Sequence, residues 1–382
     1  MSESVEETVD GVGLAFSGGG FRAALFHLGS LWLLNEIGWL KKATEITSVS
    51  GGSITCAYLG LNWKHLTFNA DGVATNFKDI VALPLRKFCS RTIDIGSVLG
   101  GLISPFHHPS EILTSRYKKL LFGEATLQDL PTDEEGPRFT IYATSLQTGA
   151  SARFARPYLA EYHLGMVSAP KIPLAFAVAA SSAFPPVLCP ATLKLDPNLW
   201  QKTTGADLYD NIRLRSRMRL GDGGIYDNMG LERVWDKYSV VLVSDAGAPF
   251  TEVDNSRLID LSQLLRLKRS IDIMGNQTRA LRKRRLIEDF KKGVRGGAYW
   301  GIATQIADYK LEEAGYPGPL AVDNDTTRAL AHTRTRLNHF NDREQELLID
   351  WGYALADAAM RRHVLQAGTA PGHLPYAARL DG

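Results

Sequence analysis

Cysteine is scarce in this chain. Its three cysteines, Cys56, Cys89 and Cys189, are odd in number and far apart in 382 residues. That pattern argues against a disulfide framework and a clustered zinc site, and it suits a reducing compartment. Long apolar runs are also missing. No stretch approaches the roughly 20 residues that a membrane-spanning helix needs, so any membrane contact is expected to be peripheral. Met1 to Asp10 is acidic and lacks an apolar centre, unlike a secretory signal. The expected location is the cytoplasm, with the inner face of the membrane within reach. Net charge is small, formally +2, so nothing pulls the whole chain towards nucleic acid. Nucleotide signatures are absent too. There is no G-x-x-x-x-G-K-[ST] run, and a G-x-G-x-x-G pattern would need glycine where Ala23 stands. No cofactor and no metal are expected.

What is present reads as globular: 45% hydrophobic and 22% charged residues. With no repeat, low-complexity tract or linker, the chain reads as one domain. Residues 1–11 are read as a flexible N-terminus and 12–365 as the domain. Insertions are placed near 63–135 and 188–216, and residues 366–382 form a tail. Val12–Phe16 reads as a buried strand running through Ser17-Gly18-Gly19-Gly20 into a stretch with helical apolar spacing, Phe21–Leu34. A second strand, about 44–49, leads through Ser50 into another helix. This alternation predicts a mainly parallel sheet covered by helices on both faces. Further strands are expected at 138–144, 152–154 and 239–244, and helices at 171–183, 261–292 and 343–363.

The most informative residue is Ser50, in Thr47-Ser48-Val49-Ser50-Gly51-Gly52-Ser53. A serine between a strand and a helix, with small neighbours two residues away on each side, fits a nucleophile elbow. The usual pattern has glycine at both flanking positions; here they are Ser48 and Gly52. An ordinary Ser/Gly turn is the competing reading. A serine nucleophile also needs an oxyanion site and a proton acceptor. Gly18, Gly19 and Gly20, at the start of a helix, supply unobstructed N–H groups for an oxyanion or a phosphate. Arg22 is placed either on an anionic head group or in a surface ion pair. Asp222, in Gly221-Asp222-Gly223-Gly224, is the base candidate, although Asp-Gly is also a common turn. Asp227 and Asp245 are the reserve bases. His27, on the first helix, is expected to pack or cap. His107 and His108 have no partners for a metal site or triad.

Four motifs occur in the order seen in patatin-like phospholipases. They are Gly-Gly-Gly-Phe-Arg at 18–22, the Ser-Val-Ser-Gly-Gly-Ser elbow, Ser181-Ser182-Ala183-Phe184-Pro185-Pro186, and Asp222-Gly223-Gly224. The chain resembles that family, in its bacterial form, over about residues 12–360. The resemblance implies a three-layer α/β/α sandwich with a mainly parallel central sheet. It also implies a Ser-Asp dyad without histidine: Ser50 as nucleophile, Asp222 as base, and Gly18, Gly19 and Gly20 as the oxyanion hole. Pro185 or Pro186 falls in the family's structural block between elbow and aspartate. Ser48 in the elbow, and Ser17 where plant patatins carry an aspartate, depart from the pattern.

The implied activity is hydrolysis of fatty-acyl esters in membrane glycerolipids, of the phospholipase A type. Alternatives are a general esterase or lysophospholipase, or a phospholipase effector switched on by a cyclic nucleotide; a silent scaffold is disfavoured. Two segments bear on lipid access. Leu99–Phe106 reads as a lid or lip, or as buried core. Arg279, Arg282, Lys283, Arg284 and Arg285 form a basic cluster on a helix that faces either anionic lipid or solvent.

Overall fold

Strand β1 (Val9–Phe16) starts exposed and ends buried, and its C-terminal end feeds the glycine turn. A computed structural model describes residues 8–93, 108–185, 187–250, 252, 263–377 and 380. Leu99–Phe106, His107 and Pro186 lie outside the described residues. After the turn comes helix α1 (Gly20–Glu36), in which every residue but the last is buried. A helix without a polar face must sit at the centre of the molecule. α1 lies between the sheet and a long C-terminal helix, Asp342–His363.

The strand–turn–helix unit repeats at once: β2 (Ala43–Val49) leads through Ser50 into α2 (Gly51–Asn62). β3 (Arg138–Ser145) lies parallel beside β2. On the other side of β1 come β10 (Tyr238–Asp245) and then β11 (Gly296–Gly301), also parallel. These five strands form the parallel part of an 11-stranded mixed sheet. Beyond β3 the chain turns back on itself. β4 (Ser151–Phe154), β5 (Tyr158–Glu161) and β6 (Gly165–Ser168) pair antiparallel in succession, and β8 (Trp200–Gln201) closes that edge. Helix α3 (Leu174–Ser181) packs against β3, and β7 (Ala191–Lys194) pairs with β9 (Arg217–Asp222).

The placing of β9 governs the site. β2 pairs with β3 from Glu45↔Arg138 to Val49↔Tyr142, and there β2 ends. β9 pairs antiparallel with the next part of β3, with Ala143 opposite Asp222. The far edge of β3 is occupied at this level by β4. β2 and β9 therefore lie in line along one edge of β3, pointing at each other. The residue after the end of β2 is Ser50, and the last residue of β9 is Asp222.

α1 and the C-terminal helix cross with their backbones touching. A Cβ on Gly29 would lie 1.9 Å from the Ile349 carbonyl oxygen, and one on Gly352 would lie 2.0 Å from that of Phe26. The helix starts with a capping box between Asn341 and Glu344, two backbone–side-chain bonds of 2.9 Å. Gly352→Ala is predicted to force the two helices apart. The expected loss is about 2 kcal/mol or more, in line with overpacking of a core. Urea unfolding measures it, and an unchanged midpoint would contradict this packing.

Candidate active site

Ser50 sits at φ 50°, ψ −118°, in a region that side chains other than glycine rarely occupy. Such a conformation costs of order 1–3 kcal/mol and persists only where the surroundings enforce it. The enforcing contacts are those of the elbow with the glycine loop. A Cβ on Gly51 would fall 2.0 Å from the Gly20 carbonyl oxygen, and one on Gly52 would fall 2.6 Å from that of Ser17. A Cβ on Gly18 would meet both the Asn228 side-chain oxygen at 2.6 Å and Ser50 Cβ at 3.1 Å. The glycines are there because loop and elbow meet backbone to backbone.

A chain of buried hydroxyls braces the elbow from behind. Ser181 Oγ accepts the Ser50 N–H at 2.8 Å and lies 3.0 Å from Ser53 Oγ. Ser53 donates in turn to Ser48 Oγ at 3.1 Å. Ser48, the departure from the glycine pattern, is thus a hydrogen-bond partner and not a defect. The same end of α3 also holds the aspartate loop. The Ser181 carbonyl accepts the Gly223 N–H at 3.2 Å, and the Ala183 carbonyl accepts that of Asp222 at 2.9 Å. Ser181 was visible in the sequence as part of a motif, but its bond to the Ser50 amide was not foreseen.

Asp222 is buried, and burial pushes its carboxyl up to about 6. The Gly224 N–H, which it accepts at 2.7 Å, and the Ser50 hydroxyl pull the other way. The Ser50 hydroxyl thus lies close enough to Asp222 to act on its carboxylate as a hydrogen-bond donor. The reserve bases are spent elsewhere. Asp227 accepts the N–H groups of Met229, Leu231 and Glu232 and pairs with Arg282 at 3.2 Å. Asp245 is held by Arg279 at 2.7 Å, the Tyr299 hydroxyl at 2.8 Å and the Gly247 N–H at 2.9 Å, which keep it below the usual carboxylate range despite its burial.

The glycine loop divides its amides. Gly18 donates its N–H to the Asn228 carbonyl at 3.0 Å, so that donor is committed. The N–H groups of Gly19 and Gly20 have no backbone or side-chain acceptor among the described residues. Ser17 ties the loop to the end of β10 by accepting the Ala246 N–H at 2.7 Å. Asn228, which no sequence signal singled out, fills the gap between this loop and the aspartate loop, since a Cβ on Gly224 would also meet its side-chain oxygen at 2.6 Å.

Burial corrects one expectation and agrees with another. Arg22 is 1% exposed, and its guanidinium donates to the carbonyls of Ala331, Thr333 and Ala246 at 2.9, 2.9 and 2.6 Å. Burial, with Arg279 nearby, lowers it to about 10. It binds protein backbone and is available neither to a head group nor to a surface ion pair. His27 is fully buried, with one ring nitrogen donating to the Ser17 carbonyl at 2.9 Å and the other accepting from Ser244 Oγ at 2.8 Å. Desolvation lowers it to about 4, so it stays neutral in the core. Among the described residues no three His, Cys, Asp or Glu side chains gather as a metal site requires. His108 caps the helix that follows it, Pro109–Tyr117.

A mixed α/β/α sheet with a parallel five-stranded centre, a strand–serine–helix elbow and a facing carboxylate defines a class of hydrolase-like folds. The family model for patatin-like phospholipases matches residues 14–235, more than half of the chain, and the chain belongs to that family. Partial likenesses to solved structures accompany this match. Human GIVD cytosolic phospholipase A2 in complex with methyl gamma-linolenyl fluorophosphonate is 13% identical, with TM-score 0.46, over 92% of this chain and 58% of that one. Another structure of the human enzyme is 14% identical, with TM-score 0.41, over 63% and 46%. VipD from Legionella pneumophila is 15% identical, with TM-score 0.34, over 91% and 66%. The chain thus spans about half the length of the human phospholipase structures it matches. No curated protein sequence matches it.

Burial of Asp222 has a thermodynamic consequence. Its folded carboxyl is raised from 3.8 to about 6. It therefore favours the folded state when protonated, below its unfolded value, and that contribution is lost as pH rises through about 6. Asp222→Asn keeps an oxygen for the Gly224 N–H and removes the buried charge. The variant is predicted to be more stable than wild type at about pH 8, by up to about 3 kcal/mol at 1.36 kcal/mol per unit, with the gap closing near pH 4. Denaturation at both pH values measures it. A variant less stable at the higher pH would contradict the assignment.

Proposed function

We propose that the chain is a serine lipid acyl hydrolase that cleaves fatty-acyl esters of membrane glycerolipids, with Ser50 as nucleophile and Asp222 as base. The observation that carries this reading is the meeting of Ser50, on a strained elbow, with a buried carboxylate that has no cationic partner among the described residues. Family membership gives the substrate class its support.

In this mechanism Ser50 Oγ attacks the ester carbonyl carbon as its proton passes to Asp222. The carbonyl oxygen gains negative charge and is met by the N–H groups of Gly19 and Gly20, which α1's dipole reinforces. Collapse expels the alcohol, which takes the proton back from Asp222, and leaves an acyl ester on Ser50. Water then attacks the acyl carbon, giving its proton to Asp222, which returns it to Ser50 Oγ as the acyl bond breaks and the fatty acid leaves. A carboxylate near pKa 4 would be a poor base. Raised to about 6, it is stronger and still mostly ionised at neutral pH.

Access to a bilayer by peripheral contact belongs to the same proposal, as does a site of action at the inner face of the membrane. In support, all three cysteines are free, and no helix among the described residues is long and apolar enough to cross a membrane. The test is lipid extraction after incubating pure protein with mixed liposomes. Wild type should release fatty acid, and Ser50→Ala should lose roughly 10³-fold or more of that rate. The kcat/KM of wild type should rise through about pH 6 and level off, because Asp222 must be ionised. Full activity in Ser50→Ala, or a profile flat from about pH 5 to 8, would contradict the dyad.

A further inference from the structure

The long helix Gln263–Lys291 is turned inside out as far as Lys283, before Leu286 enters the core. Its inner side is polar. Arg279 holds Asp245 and donates to the carbonyls of Gly247 and Ala248. The Lys283 ammonium sits 4.4 Å above the Tyr299 ring, and Arg269 lies 4.1 Å above the Phe250 ring. Arg282, at the flank, donates to the Tyr226 carbonyl at 2.7 Å. Four of the five residues of the basic cluster thus contact the body of the protein, Arg285 by placing its guanidinium 4.7 Å from the centre of the Trp235 ring, while Arg284 is exposed. The outer side is apolar. Leu267, Ile271, Met274 and Leu281 are 58%, 45%, 61% and 60% exposed. With Thr278 between the last two they follow a 4-3-4-3 spacing, and at 100° per residue they fall within about 80° of arc. Four large side chains on one line, opposite the docked side, are a face without a partner among the described residues.

We propose that this face docks on an anionic lipid surface, lying in the headgroup region with Leu267, Ile271, Met274 and Leu281 inserted; this rests on the lipid-hydrolase reading given above. Charge selects the occupant. The helix carries nine Lys or Arg against three Asp or Glu, and with Arg279 and Arg282 paired to Asp245 and Asp227 an excess of four positive charges remains; basic residues beside an apolar stripe match anionic headgroups. A second copy fits less well. The positions beside the stripe include Ser270, Gln277, Arg282 and Arg284, and the one acidic side chain on that side, Glu288, lies past the end of the stripe and is paired with Lys292 at 2.6 Å. Place supports the same choice. Arg282 fastens the helix to Tyr226, four residues after Asp222. The rim of the aspartate loop is apolar and exposed at Ile225 and Phe184. A bilayer along the helix would lie next to the dyad.

The test is vesicle flotation of the Ser50→Ala protein, so that binding is read without hydrolysis, using phosphatidylcholine vesicles with and without phosphatidylglycerol. Recovery should be high only with phosphatidylglycerol. The combination Leu267→Ser, Ile271→Ser, Met274→Ser, Leu281→Ser should lower it tenfold or more, and Met274→Glu alone severalfold. With Ser50 intact, the same substitutions should leave hydrolysis of a soluble short-chain ester unchanged, which also verifies the fold. Equal recovery of variant and parent would overturn the proposal. So would a change from dimer to monomer on light scattering with vesicle binding unaffected. Flotation without any ester hydrolysis by the wild-type chain would leave the docking face standing and remove the hydrolase reading instead.

Discussion

Everything at the proposed site depends on one strained residue held in place by backbone contact. Ser50 keeps φ 50° because Gly51 and Gly52 lie against the carbonyls of Gly20 and Ser17, and because Ser181 takes its N–H. No single contact suffices. The strain is offset by many contacts among residues too small to yield, and these in turn fix the glycine loop from which α1 starts. The central position of α1, buried over all but its last residue, follows from that start. The C-terminal helix then closes over α1 through Gly29 and Gly352.

Three carboxylates stand near the same ends of the strands, and their surroundings separate their roles. Asp245 and Asp227 are each neutralised by an arginine and saturated by N–H or O–H donors. Asp222 accepts one backbone N–H and touches Ser50. A carboxylate locked in ion pairs holds structure together and gives up its basicity. One that is buried and underpaired gains basicity at the expense of stability. The proposed dyad assigns the reactive role to the one carboxylate of the three that has this surplus basicity.

Much of this was legible in the sequence because the relevant pattern is local. The runs Val12–Phe16 and 44–49, each followed by small residues and an apolar stretch, gave both strand–turn–helix units. The helix near 343–363 announced itself by periodicity, and the fold class followed from alternation and motif order. What was not legible is non-local. That β9 meets β2 end to end along β3 is a property of the sheet. So is the use of the Gly18 amide by Asn228, 210 positions away in sequence terms and adjacent in space. Arg22 looked like an exposed arginine because sequence does not reveal that α1 has no outer face. The basic cluster was read as one patch, although Arg279 and Arg282 bind carboxylates and carbonyls beneath the helix.

The central claim is that Ser50 is reactive because Asp222 and the elbow make it so. Labelling by a fluorophosphonate, located by peptide mass spectrometry, tests it most directly. The account predicts modification of Ser50 and of no other serine in the native protein, and loss of that labelling in the folded Asp222→Asn variant. Labelling of a different serine, or undiminished labelling of Ser50 in Asp222→Asn, would contradict it.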